Sequence, residues 1–258
     1  MNYDPSLLTF NPSNHGHYYD GKRLLGVTTA LSSISKGDGL IQWAVNQACD
    51  YARANLTVFT NEPYEVPHLS IDVPDLELVL QGAKYAWKAA RDEAASIGTL
   101  AHGWIEAYLK GEEPTWPEDP RVGNACQAAL DWIRSVKWES IQIEHQIYIP
   151  ELGVAGICDW YARIDGVLAV PDWKTSKSLH SSYAYQTAAY LRALEGEFGE
   201  KIPNRWLIRI DKETGSVEPR FLPEESIGQD YAAFESAVVI YKREAELKKE
   251  WSNTKYIQ

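Results

Sequence analysis

Three ionisable residues, Asp159, Asp172 and Lys174, crowd one apolar stretch at 154–177. Asp165-Gly166, between its two strand-like runs, is a signal for a type I′ hairpin, because both loop positions of that turn need φ above zero. With those two residues as the loop, cross-strand partners have numbers summing to 331, and 159 and 172 satisfy that sum. The two carboxylates are then expected directly opposite each other on one face, with Cβ atoms roughly 4.5–5.5 Å apart. Lys174, two residues on, shares that face opposite Ile157. Two like charges in a buried sheet are costly, and at least one pKa must rise unless a cation sits between them. Hard divalent ions take oxygen ligands, commonly one or two carboxylates plus substrate phosphates. With a lysine alongside to hold a phosphate oxygen, these parts suit metal-assisted phosphodiester hydrolysis. The plain alternative is that Lys174 only neutralises Asp172 while Asp159 lies at the surface.

Residues elsewhere favour the first reading. The run 171-PDWK-174, preceded by 156-GICD-159, resembles the PD-(D/E)XK nuclease signature. It is most similar to the RecB-like branch, which includes phage exonucleases and the mitochondrial genome maintenance exonuclease. The upstream stretch 98-GTLAHGWIEAYLKG-111 offers Gly98, His102 and Glu106, and 185-YQTAAY-190 offers the QxxxY of that branch as Gln186 and Tyr190. The match covers about 83–210. The resemblance implies metal ligation by His102, Asp159, Asp172 and the backbone carbonyl of Trp173. Lys174 becomes the catalytic lysine, with Gln186 and Tyr190 orienting it or touching the scissile strand. It also implies one or two Mg²⁺ or Mn²⁺ ions. The four cysteines of the iron–sulfur members are missing, so no such cluster is expected.

His102 and Glu106, like Gln186 and Tyr190, are four residues apart and so share a helix face. Alone, His102 reads as a packed or solvent-facing histidine, and Glu106 has Lys110 one turn on. Glu144 lies on the polar face of the strand before the hairpin, either as an auxiliary metal carboxylate or as part of a solvated strand face. Lys84, Lys88 and Arg91 form one helical stripe, read either as a phosphate track or as a solvated face paired with acids such as Asp92. Arg205 and Arg209, four apart on a strand, share a face and are candidates to line the same substrate groove. Trp104 and Tyr108 offer stacking surfaces, although packing is the favoured reading, and the basic run 242–249 reads as an exposed helix face.

The elements that must position these groups are read from periodicity. Helices are expected at 40–54, 76–110, 122–136, 182–194 and 224–249, with Gly98 a break or close-packing point and Gly111 a stop. A short hairpin turns at Asp20-Gly21, followed by a helix start capped by Thr28 or Thr29. The stretch 55–75, with three prolines, reads as a loop. Isoleucines at 141, 143, 147 and 149 mark a strand, and further strands fall at 204–210 and 216–222. The expected fold is α/β, a central mixed β-sheet flanked by helices plus a helical N-terminal elaboration, and the resemblance implies that its core is restriction-endonuclease-like. One nuclease domain is expected over 1–258, divided into the elaboration 1–75, the core 76–222 and a C-terminal helix 223–258.

Composition bounds the rest. At 258 residues, 45% hydrophobic and 24% charged, the chain is an ordinary globular sequence. Neither a signal peptide nor a membrane span is expected, the three cysteines suggest no disulfide framework, and the expected compartment is the cytoplasm. The net charge of −11 argues against general coating of nucleic acid but leaves room for a local basic groove or a cation-filled acidic site. The implied activity is a DNA nuclease, an exonuclease preferring single strands or ends. Alternatives are an endonuclease of the same fold, a catalytically silent binding module, and a two-carboxylate glycosidase acting without metal.

Overall fold

The computed structural model describes residues 3–34, 38–55 and 73–253. Contacts divide the chain into two compact units, Met1–Ile34 with Leu100–Gln258, and Ser35–Thr99.

The first unit opens with β1 (Leu8–Asn11), β2 (Gly16–Tyr19) and β3 (Lys22–Arg23), a small antiparallel sheet. Asp20 and Gly21, with φ of 47° and 70°, make its type I′ turn. Next come β4 (Leu25–Gly26) and α1 (Val27–Ala30), whose cap position is Gly26 rather than the expected Thr28 or Thr29. In the second unit, α2 (Asp38–Asn55) packs against the start of α3 (Val73–Leu109), with the Tyr51 ring lying where a Cβ on Gly82 would sit. The expected 55–75 loop falls mostly on 56–72, outside the described residues. Helix α3 runs unbroken through Gly98, because the residues on either side keep good helix propensity. It stops at Gly111, whose φ of 80° only glycine adopts without strain.

The main sheet is built from β5 (Trp138–Ile149), β6 (Val154–Ile164), β7 (Val167–Lys174), β8 (Asn204–Ile210) and β9 (Val217–Leu222), together with β4. Helix α4 (Pro120–Ser135) precedes β5, α5 (Ser181–Phe198) carries the crossover between the parallel strands β7 and β8, and α6 (Ile227–Asn253) ends the unit. The fold is therefore α/β, a mixed sheet flanked by helices. One layer of core, with Val27, Leu31, Ile147, Val170, Leu191, Leu194 and Phe234, joins the sheet to α5 and α6. Elsewhere Trp132 of α4 meets Trp173, Trp206 and Trp160 edge-on or tilted at 5.5–6.3 Å, which accounts for four of the ten tryptophans as packing.

The edges of β6 decide where a site can form. Along one edge β5 pairs from Ile164 to Val154, with a register shift near Ser140 and no pair between Ile143↔Trp160 and His145↔Cys158. The other edge is divided. At one end β7 pairs in the register the sequence predicts, Ile164↔Val167, Arg163↔Leu168 and Ala162↔Ala169, around a turn with Asp165 and Gly166 at φ 50° and 85°. At the other end β4 takes Val154 and Ala155. Regular β6–β7 pairing stops at Ala162, so 159 and 172 are not ladder partners as expected. The two strands part in the stretch that carries the carboxylates.

Candidate metal centre

Backbone parting gives polar groups room inside a sheet. In the gap the Trp173 N–H donates to Asp159 Oδ2 at 3.1 Å, a side chain standing in for the missing ladder bond. His102 Nδ1, from the last turns of α3, lies 3.6 Å from the same oxygen. Across β5, Glu144 falls between the paired positions Ile143↔Trp160 and His145↔Cys158, so it stands beside Asp159. Its φ of 50° is a left-handed conformation in the middle of a strand. Such strain costs on the order of 1–3 kcal/mol and persists where surrounding contacts impose it. Ligand atoms of His102, Glu144 and Asp159 all lie within 4.8 Å of one another.

Asp172 is fully buried, and Lys174 Nζ comes within 2.6 Å of its Oδ2. Among the described residues neither Asp172 oxygen has an aligned hydrogen-bond partner. Lys174 is then, among them, the one close partner of a buried carboxylate that has given up its hydration. Burial accordingly pushes the Asp172 pKa up, with Asp159 adding to the rise and Lys174 opposing it. Burial would lower Lys174, but the carboxylates of Asp172 and Asp159 outweigh it and hold the ammonium charged. Glu144 is pushed up to about 8 by burial, then by the nearby charges of Asp159 and Glu106. Carboxyls raised together in one cluster are short of positive charge.

Helix α5 closes the site. Gln186 Nε2 donates to the Tyr190 hydroxyl at 2.8 Å, and both residues are buried. Burial, followed by Asp172 and Asp159, raises the Tyr190 pKa well above the usual phenol range. The ring comes this close because Gly156 of β6 has no Cβ, which would lie 3.0 Å from Tyr190 Cε1. Tyr183, which the motif reading passed over, sets its ring face under Lys174 Nζ at 4.9 Å. It precedes Gln186 by three residues and Tyr190 by seven, so helical spacing alone places it on their face.

The structure thus brings His102, Glu144, Asp159, Asp172, Trp173, Lys174, Gln186 and Tyr190 to one locality. Glu106 borders it and pairs with Lys110 at 2.5 Å. Arg205 is different. It is fully buried, giving hydrogen bonds to the Ala184 carbonyl, Ser226 Oγ and Asp230 Oδ2 at 2.6–2.8 Å, so it ties β8 to α5 and α6 and lines no groove. Arg209 pairs with Glu218 at 2.8 Å and is mostly covered. Lys84, Lys88 and Arg91 are exposed on α3 in the second unit, with Arg91 paired to Asp92. Trp104 stacks on Tyr108 at 5.7 Å, and its indole donates to the Thr115 carbonyl. Arg243 of the basic run pairs with Glu246 and Glu250.

The donor set could hold a divalent cation: ligand atoms of two carboxylates and an imidazole converge, beside a third, buried carboxylate whose close partner is Lys174. Among the described residues no helix is long and apolar enough to cross a membrane. No protein-family model matches the chain, and no curated protein does either.

Proposed function

We propose that the chain is a Mg²⁺- or Mn²⁺-dependent DNA nuclease of the PD-(D/E)XK class, RecB-like branch, with a restriction-endonuclease-like core. Its substrates are single strands or DNA ends, digested exonucleolytically. One observation carries this reading: ligand atoms of His102, Glu144 and Asp159 converge within 4.8 Å beside the buried Asp172–Lys174 pair. The motif order along the chain and the sheet with its α5 crossover support the fold assignment.

In this reading His102, Glu144, Asp159 and the Asp172 carboxylate would hold the cation, together with the Trp173 carbonyl. When bound, such a cation polarises a phosphoryl oxygen and makes water a better nucleophile at neutral pH. The protein's own groups do the rest. Asp159 is aimed by the Trp173 N–H, so its carboxylate is fixed before substrate arrives. Lys174, kept charged by its neighbours, donates to the non-bridging oxygen that gains negative charge during in-line attack. Asp172 and the Tyr183 ring restrict where that ammonium can point. The buried Gln186–Tyr190 pair walls the cluster against bulk water and strengthens every charge interaction within it.

The test is a time course on end-labelled single-stranded and duplex DNA of both polarities, with Mg²⁺ or Mn²⁺ and with chelator. Chelator-sensitive products shortening from one end are expected. Binding without metal-dependent products would make the chain a silent binding module, and products insensitive to chelator would remove the metal from the mechanism.

A further inference from the structure

The left-handed backbone of Glu144 coincides with a change of face in two neighbouring strands. Side chains along a strand alternate, so cross-strand partners and residues two apart share a face. Trp160 of β6 faces α4: its ring meets Trp132 of that helix and its indole donates to Ser140 Oγ at 2.9 Å. Its neighbour Tyr161 accordingly faces the other way, onto Phe198 of α5. Yet Val154 and Cys158 belong to the core shared with α5 and α6, and the bare Cα of Gly156 admits Tyr190 of α5. Strand β5 changes over at the same level. Ile143 pairs with Trp160, whereas His145 pairs with Cys158 and is followed on its face by the core residues Ile147 and Ile149. In both strands the step falls on the acidic residue, Asp159 or Glu144.

His145 ties β5 to α5 at that step. Its Nε2 lies 3.0 Å from both Glu197 oxygens, and its ring is 5.7 Å from that of Phe198, the last residue of α5. The Glu197 side chain is only 7% exposed and also accepts from the Tyr3 hydroxyl at 3.2 Å. A covered carboxylate bonded from two sides is held still, and it holds the imidazole with it. With His145 drawn to α5 and Ile143 kept beside Trp160 on the opposite face, the residue between them must absorb the turn. Glu144 does so at φ 50°, a conformation that only surrounding contacts maintain. The same turn leaves its carboxylate with Asp159 and His102.

We infer that Glu197 is a positioning residue for the cation site, acting through His145 on the backbone of Glu144. The inference rests on the metal-centre reading of the cluster and goes beyond it by naming what aims one of the ligands. Neither Glu197 nor His145 belongs to the ligand set, so their loss acts on how well Glu144 reaches the ion.

The experiment measures Mn²⁺ affinity from the free-ion signal in electron paramagnetic resonance. The proteins are the wild-type chain, Glu197→Ala, Glu197→Gln, His145→Phe, Glu144→Ala and the double variant Glu144→Ala/Glu197→Ala. Glu197→Ala is expected to weaken Mn²⁺ binding about 10-fold or more. His145→Phe keeps a ring against Phe198 without the bond and should do the same, so the result does not depend on one variant folding. Glu197→Gln keeps an acceptor for the imidazole and should retain most of the affinity. In Glu144→Ala the aimed carboxylate is gone, and adding Glu197→Ala should weaken the remaining binding no further. A general loosening of the fold would not produce that coupling. Wild-type affinity in Glu197→Ala and His145→Phe, or an equal fold loss with and without Glu144, would overturn the inference. So would a wild-type chain that binds no Mn²⁺. Cleavage of end-labelled DNA separates the two readings. If the wild type cleaves and the variants bind Mn²⁺ as it does, the positioning role fails while the nuclease reading stands. If the coupling appears but no chain cleaves, the positioning role stands and the nuclease reading fails.

Discussion

Two buried ion pairs in this molecule differ in how completely their charges are met. Arg205–Asp230, at 2.6 Å, comes with the Ala184 carbonyl and Ser226 hydroxyl as further acceptors, and only Nε of Arg205 goes without a partner among the described residues. Asp172–Lys174, also at 2.6 Å, leaves both Asp172 oxygens without an aligned hydrogen bond, and more carboxylates crowd the same space. Both pairs carry a desolvation cost of several kcal/mol per ion. In the first, the guanidinium gives hydrogen bonds that join β8, α5 and α6, although burial still lowers the Arg205 pKa. In the second, the carboxylates outweigh burial at Lys174, but burial still raises the Asp172 pKa against the pull of Lys174. Burial is common to the two pairs; the hydrogen bonds made around each are what differ.

The sharpest break between them is in activity. Asp172→Ala and Lys174→Ala should each lower metal-dependent cleavage by about 10³-fold or more, with far-ultraviolet circular dichroism unchanged. Turnover like that of the wild type in either variant would remove both residues from the chemistry. The opposite pattern is expected of Asp230→Ala, which strands the Arg205 guanidinium in the interior. That variant should lose about 3–5 kcal/mol of stability in urea unfolding, and the fraction still folded should cleave at the normal rate. A loss below 1 kcal/mol would mean that the pair is less isolated from water than its geometry indicates.

Parts of this contrast were legible in the sequence, and the missing parts have physical causes. Asp165-Gly166 fixes the hairpin and its register because turn geometry is local, and Ile164↔Val167 follows the sum. The parting of β6 from β7 was not legible, since β4 at residues 25–26 takes the edge of β6 from far away in the chain. Arg205 and Arg209 were placed on one face by strand period, but period does not say which face a helix covers. Alternation put Glu144 on a polar face, whereas its positive φ depends on tertiary contacts. Helices and strands with strong periodicity, such as α4 and β8, lay within two residues of expectation.

The charge deficit also predicts a response to cations. Mn²⁺ at about 100 times its Kd should stabilise the wild-type chain by about 2.7 kcal/mol, read as a rise in melting temperature that chelator reverses. Asp159→Asn and Glu144→Gln should blunt that rise, whereas Asp230→Ala should keep it on a lower baseline. Equal Mn²⁺ shifts in all four proteins would place the ion elsewhere.

The smallest effect expected is on the pH dependence of stability with chelator present. Glu144 has a folded-state pKa of about 8 against an ordinary 4.5, because burial and then Asp159 disfavour its charged form. Between those two values the folded chain binds more protons than the unfolded chain, so stability must fall as pH rises through that window. The contribution is fully present below the ordinary value and gone above the raised one. Asp172, raised by burial in the same way, adds a fall of the same sign. Glu144→Gln removes its share, so urea unfolding at pH 5.5 and pH 8 should differ less in that variant than in the wild type. At pH 8 the variant should be the more stable of the two. The Arg205–Asp230 pair cannot produce this slope, because guanidinium stays charged throughout the range. A wild-type chain equally stable at both pH values would mean that Glu144 is already ionised without a cation, and the contrast between the two pairs would then rest on Asp172 alone.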